Sequence, residues 1–160
     1  MPSPTATPAL VMPKVDEVAV VAIGGVVGAL ARAGVGWLVP HSDPASWPWA
    51  TFITNLVGCA LLGLVLAFVD GRHERWLVTA PTRARLIRPL LATGVLGGFT
   101  TFSTFAVEIV RLIRADRVIE AGLYAALSVL LGIGLVAITR SAAGGWFGRT
   151  PIDLRADEEL

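Results

Sequence analysis

The groups that could do chemistry in this chain are mostly uncharged: hydroxyls, one carboxamide and one tyrosine, set in apolar sequence. The densest cluster is GGFTTFSTF at positions 97–105, with two adjacent glycines, four hydroxyls and three phenylalanines. A helix facing only lipid would carry Leu, Ile and Val there. Gly94, Gly97 and Gly98 lower helix propensity locally. The hydroxyls of Thr100, Thr101, Ser103 and Thr104 can replace backbone partners freed by a break in the helix. At membrane depth such a break is tolerated only where protein or a water-filled cavity covers it. Its loose carbonyls and N–H groups can then bind ions. Phe102 and Phe105 are three residues apart and share a face. Two phenylalanines alone would read as apolar packing, but the glycines and hydroxyls beside them favour a site.

Three more helical stripes carry polar groups. Thr51 and Asn55 lie at i, i+4, and Asn55 is a full amide within an apolar run. Its two readings are an interhelical hydrogen bond and an N–H donor lining a polar path. Tyr124, Ser128 and Gly132 lie at i, i+4, i+8, as polar glue between helices or as a narrow track. Gly24, Gly28 and Arg32 repeat that spacing. Small residues so placed let helices approach closely. An arginine on the stripe must snorkel, pair or face water, so Arg32 reads as a packing residue or as part of a pore mouth. Glu108, with Arg111 and Arg114 nearby, is expected to form an ion pair. Cys59 is the single cysteine, which excludes an intrachain disulfide, and it reads as a small packing residue. His41 and His73 read as solvated loop residues. Neither a Ser/His/Asp set, a phosphate loop nor a metal-ligand cluster stands out, so the sequence predicts no enzyme.

The elements that must position these groups follow from composition. The 160 residues are 54% hydrophobic and 16% charged, with a mean hydropathy of +0.71. Soluble domains carry about 25% charged residues. Four apolar runs, roughly Val18–Val39, Trp49–Val69, Leu90–Val107 and Ala121–Thr139, each approach the ~20 residues that span a bilayer. The prediction is an all-α integral membrane domain over 18–141, between a Pro-rich disordered tail over 1–17 and a polar tail over 142–160. Trp47 and Trp49 suit an interfacial aromatic belt. The termini and the second loop together carry nine Lys and Arg, against three in the third loop. The positive-inside rule then puts both termini in the cytoplasm.

With those motifs in hand, the chain resembles the Fluc/CrcB family of fluoride channels. The resemblance rests on GGVVGALAR in the first span, ATFITNLVG in the second, GVLGGFTTFSTFAVE in the third and YAALSVLLG in the fourth. It covers about Val18 to Arg140, with Ala50 standing where relatives usually have glycine. It implies four transmembrane helices, the third broken near its middle, in an antiparallel dimer with two fluoride pores. It also implies a central, structural Na⁺ held by the main-chain carbonyls of Gly97 and Thr100. Asn55, Phe102, Ser103, Thr104, Phe105, Tyr124 and Ser128 would form the fluoride pathway, with Arg32 and Thr51 at a pore mouth or in packing. The implied function is passive fluoride export that protects the cytoplasm.

Two other classes remain in view. A proton-coupled, small-multidrug-type exporter would need a titratable acid deep in the membrane, and Glu108 is the only candidate. A non-transporting membrane subunit would need only the small-residue stripes. The resemblance further implies an oppositely inserted partner; the charge bias points to a homologous subunit with the reverse bias, and a dual-topology homodimer of this chain is the alternative.

Overall fold

The computed structural model describes residues 14–39 and 46–147. His41, most of the N-terminal tail and residues 148–160 lie outside the described residues. Within them the chain is helical: α1 (Val15–Leu38), α2 (Trp49–Asp70), α3 (His73–Thr79) and α4 (Pro81–Arg88) come first. A π-helical segment, Pro89–Leu96, follows, then α5 (Gly97–Phe99), α6 (Phe102–Arg114) and α7 (Val118–Phe147). Four of the resulting rods, Val15–Leu38, Trp49–Asp70, Pro81–Arg114 and Val118–Phe147, are long and apolar enough to cross a membrane. The protein is a multi-pass membrane protein with a broken third span.

The limits of the spans differ from expectation in ways that charges explain. α1 opens at Val15, inside the expected tail, because Asp16 and Glu17 in its first turn are both held by Arg85 of α4. Acidic residues there also suit the positive end of the helix dipole. α7 continues past position 141 to Phe147, whose carbonyl packs on Gly71 beyond the end of α2. The second loop is not open loop. It folds into α3 and α4, with Pro81 at the first helical position of α4, where its missing N–H is harmless. His73 therefore starts a helix rather than sitting in a loop, though it is exposed as expected.

The third span is built in unlike parts. Pro89 has no N–H to give to the carbonyl of Arg85, so the regular ladder cannot pass through it. From Pro89 onward the turns widen into the π-helical segment. This segment and α5 lie along α1, while α2 packs along α7 and α6 closes against α7. The contact with α1 is backbone to backbone. A Cβ on Gly24 would stand 2.6 Å from the Leu90 carbonyl oxygen and 3.0 Å from the Gly94 Cα. A Cβ on Gly28 would strike the Val95 carbonyl and come within 2.7 Å of the Phe99 nitrogen. The stripe of Gly24 and Gly28 thus packs helices, as the spacing predicts. On the other side of the bundle Thr139 fills the notch at Gly63, donating to the carbonyls of Ala60 (2.9 Å) and Leu135 (2.7 Å).

The buried core is small. Tyr124, Leu112, Ala121 and Phe105 form it, with Trp47, Phe52, Ile109 and Ala125 packed around them. Within the most apolar stretch of each span only 11% to 28% of residues are buried inside the chain. Most of the apolar surface therefore meets lipid or another subunit.

Candidate functional site

The break lies at Thr100 and Thr101, both extended (ψ 162° and 121°), and not at the glycines. Gly97 is helical (φ −64°, ψ −35°), and no described glycine has positive φ. The glycines thus supply close approach to α1, not a change of chain direction. Gly98, for example, faces the carbonyl of Gly25. What holds the break open is Asn55 of α2. Its Nδ2 donates to the Thr101 carbonyl at 3.0 Å, and its Oδ1 accepts from the Thr101 N–H at 2.9 Å. One carboxamide therefore satisfies both backbone groups of a residue outside regular structure, and one Nδ2 hydrogen remains uncommitted to that pair.

This clamp has a consequence for the carbonyls upstream. In an unbroken helix the Thr101 N–H would bond the Gly97 carbonyl; here it bonds Asn55. The Thr104 N–H would likewise bond the Thr100 carbonyl; here it bonds the Thr101 hydroxyl at 3.2 Å. Gly97 and Thr100 thus both lose their ordinary partners. Thr101 is the N-cap of α6. Its hydroxyl also donates to Thr104 Oγ1 (3.0 Å) and lies 3.3 Å from Ser103 Oγ. The hydroxyls of GGFTTFSTF are thus a connected set fixed to the first turn of α6.

Two cavities meet at this point. The first, of about 350 Å³, is lined by Asn55, Gly97, Thr100, Phe102, Phe105 and Ser128 among others. Six residues singled out in the sequence converge there from three spans. Phe102 and Phe105 stand 5.9 Å apart, the former 80% exposed and the latter buried. Ser128 Oγ is buried and has no hydrogen-bond partner. The second cavity, of about 300 Å³, is lined by Arg32, Thr51, Thr54, Thr101 and Thr104. Thr101 borders both.

Tyr124 stands apart from both cavities. It is fully buried against Phe105, with ring centroids 5.1 Å apart. Its hydroxyl donates to Glu108 Oε2 at 2.7 Å, and Thr51 donates to Glu108 Oε1 at 2.7 Å. The expected ion pair of Glu108 with Arg111 or Arg114 is not formed. Those arginines lie one and two turns on, exposed near the end of α6, while the carboxylate turns inward to two hydroxyls from α2 and α7. Cys59 is half-buried in the wall of the first cavity, with its sulfur beside Gly132, in keeping with a packing residue. Sequence reasoning missed Thr54, the hydroxyl-bound role of Glu108 and the specific role of Thr101 as N-cap. Thr101 had a readable signal, since threonine is a preferred N-cap residue where a helix restarts.

Comparison with known proteins agrees with this architecture. The family model described as CrcB-like protein, Camphor Resistance (CrcB), matches residues 19–140. The chain belongs to the CrcB family. A relative from Hyphomonas neptunium named fluoride-specific ion channel FluC is 42% identical over 129 residues, covering 81% of this chain and 92% of its own. A Chloroflexus aurantiacus protein of the same name is 35% identical over 133 residues, covering 83% and 98%. In Nocardia farcinica a protein named fluoride-specific ion channel FluC 2 is 39% identical over 134 residues, covering 82% and 89%. The CrcB match begins inside α1 and ends inside α7, so it takes in both cavities and the break.

Proposed function

We propose that this chain is a passive, fluoride-selective channel subunit that lets fluoride leave the cytoplasm. The observation that carries this reading is the convergence of neutral donors from α2, the broken third span and α7 on one cavity beside the break. The names of the CrcB relatives support it. An anion crossing a membrane must exchange its hydration shell for donors that bind it without trapping it. Asn55 keeps one amide hydrogen, Ser128 keeps its hydroxyl, and the edges of Phe102 and Phe105 are the positive part of the ring quadrupole. Ser103 and Thr104 extend the donor set. Arg32 with Thr51, Thr54 and Thr104 gives the second cavity an electropositive, hydroxyl-lined wall that suits the mouth of an anion path. Tyr124 acts through packing on Phe105 and through Glu108.

A structural Na⁺ fits the donors at the break. Gly97 and Thr100 offer two carbonyl oxygens freed from their helical partners, and hard cations prefer oxygen ligands. Two chains would supply four. A cation held there would tie two breaks together and balance the anions in transit. The large exposed apolar surface of the spans supports a dimer in the cell membrane. The family resemblance favours an antiparallel arrangement of that dimer, as a homodimer or with a homologous subunit. The arginine bias favours cytoplasmic termini in the preferred orientation. Reporters at the C-terminus, each active on one membrane face, test that bias. Equal signals on both faces would discard it.

No observation favours the exporter. Its required acid, Glu108, is engaged by two hydroxyls in the structure. The deciding experiment loads liposomes with fluoride or chloride and reads each ion at an electrode. Rapid fluoride release with retained chloride is expected, and equal release of both would reject selectivity.

A further inference from the structure

The elbow formed by α3 and α4 carries charge and apolar surface that the ion pathway does not use. It follows α2 directly and leads straight into the third span, so it lies at the membrane edge. Aromatic residues mark the level. Trp76 is buried edge-on to Phe68 (5.7 Å), and Phe68 meets Phe147 at the end of α7 (5.6 Å). Such clusters sit where hydrocarbon gives way to headgroups. At that level the elbow leaves Val78 87% and Leu77 50% exposed.

Five arginines crowd the same place, and two are engaged. Arg85 is held by Asp16 and Glu17, and Arg72 stacks on Phe68 and Phe147 (4.2 and 5.1 Å). Arg75, Arg83 and Arg88 are exposed and, among the described residues, form no ion pair. Arg83 lies over the Trp76 ring at 5.9 Å. Arg75 and Val78 are three residues apart on one face of α3. The opposing charge on α3 is Glu74, and His73 precedes it. Three guanidinium groups without a carboxylate partner among the described residues outweigh that one carboxylate.

We propose that the α3–α4 elbow is a docking surface for anionic phospholipid, with Val78 and Leu77 in the headgroup–acyl boundary and Arg75, Arg83 and Arg88 on the phosphates. Lipid alone offers both an apolar and an anionic partner at this depth. A free phosphate leaves Val78 and Leu77 in water, and a second elbow would oppose arginine with arginine. Guanidinium groups bind phosphate oxygens bidentately. Each basic side chain near an anionic surface strengthens association about fivefold. Because α4 runs directly into the π-helical segment, lipid held on the elbow anchors the height of the break. This proposal rests on the membrane fold and not on the fluoride reading.

The test takes the purified full chain in mixed micelles of phosphatidylglycerol and phosphatidylcholine and counts retained lipid by native mass spectrometry. Wild type should be enriched in phosphatidylglycerol, and the Arg75→Gln/Arg83→Gln/Arg88→Gln variant should lose that enrichment tenfold or more. Arg111→Gln/Arg114→Gln, altered at the far end of the third span, should keep most of it. Glycerol phosphate should not displace the lipid. Unchanged enrichment in the triple variant, loss in the far-end variant, or displacement by glycerol phosphate would each overturn the proposal. A second measurement leaves every arginine in place. A nitroxide on Val78→Cys in a Cys59→Ala background should report headgroup–acyl depth in liposomes. Full exposure to water would refute the docking.

Discussion

The two halves of the third span are made by different means. Before the break, Pro89–Phe99 is held by close backbone approach: Gly94 lies on Gly24, and Val95 and Phe99 lie on Gly28. After it, α6 adds polar ties to the apolar contacts of Phe105 and Leu112: the Thr101 cap, the Asn55 clamp, and Glu108 between Thr51 and Tyr124. The first half needs the absence of side chains, the second needs their donors and acceptors. The difference teaches that the glycines and hydroxyls of GGFTTFSTF, adjacent in sequence, do separate work. Glycines set the distance between spans; Asn55 and Thr101 decide where the chain leaves the helix.

The largest effect is expected in the glycine half. A single methyl in Gly28→Ala would run into backbone atoms of Val95 and Phe99, which cannot rotate away. Overpacking costs typically 1–3 kcal/mol even where side chains can move, so we expect about 3 kcal/mol or more. The measurement is monodisperse yield and denaturant unfolding in detergent. Gly122→Ala is the control, because a Cβ there meets open space. It should be neutral or stabilise α7 by up to about 1 kcal/mol. Equal behaviour of the two variants would break the comparison.

Next comes Asn55→Asp. A carboxylate has no N–H for the Thr101 carbonyl and would repel both that oxygen and an anion. Fluoride flux should fall by about tenfold or more, the equivalent of one lost charged or buried hydrogen bond, while the chain still folds. Phe102→Ile removes the ring edge but keeps the apolar volume, and a smaller loss of flux is expected. Normal flux in both would leave Asn55 as a clamp alone and Phe102 as packing.

Much of this was legible in the sequence. The four spans followed from apolar length, and the Gly24–Gly28 stripe from its spacing. Asn55, Thr100 and Ser128, which line the first cavity, stood out because polar groups are few in apolar runs. The position of the break was misread, because low helix propensity at Gly97 and Gly98 is a local signal. The break is set by Asn55, 46 residues away from Thr101 in the chain. Glu108 was misread for the same reason: Arg111 and Arg114 are near in sequence, while Thr51 and Tyr124 are near in space. The helices α3 and α4 were hidden by the charge density of the second loop, which masks a short amphipathic pattern around Trp76 and Ala84.

Glu108→Gln tests the polar half at its far edge. The carboxylate accepts from both Thr51 and Tyr124, and such charge-assisted bonds are worth about 1.5–3 kcal/mol each against 0.5–1.5 for neutral ones. The amide keeps one acceptor oxygen but presents N–H to the other hydroxyl, which can turn and accept. A loss of about 1–2 kcal/mol in unfolding stability is expected. Loss greater than for Gly28→Ala would mean that this hub, and not the glycine contact, dominates assembly.

The smallest effect belongs to Thr101→Val, which keeps the shape and removes the hydroxyl. Thr104 N–H would lose its cap acceptor, and Thr104 Oγ1 would lose a donor. An N-cap hydroxyl is worth about 1 kcal/mol. The backbone of Thr101 would remain clamped by Asn55, and valine tolerates the extended dihedrals at this position. The break should therefore persist while unfolding stability falls by about 1 kcal/mol. Thr101→Ser, which restores the hydroxyl, should return most of it. Hydrogen exchange at the first turn of α6 reads the cap directly, and faster exchange there in the valine variant is expected. If Thr101→Val instead abolished folding, the cap would share control of the break with Asn55. If it changed neither stability nor exchange, Asn55 alone would hold the chain out of the helix.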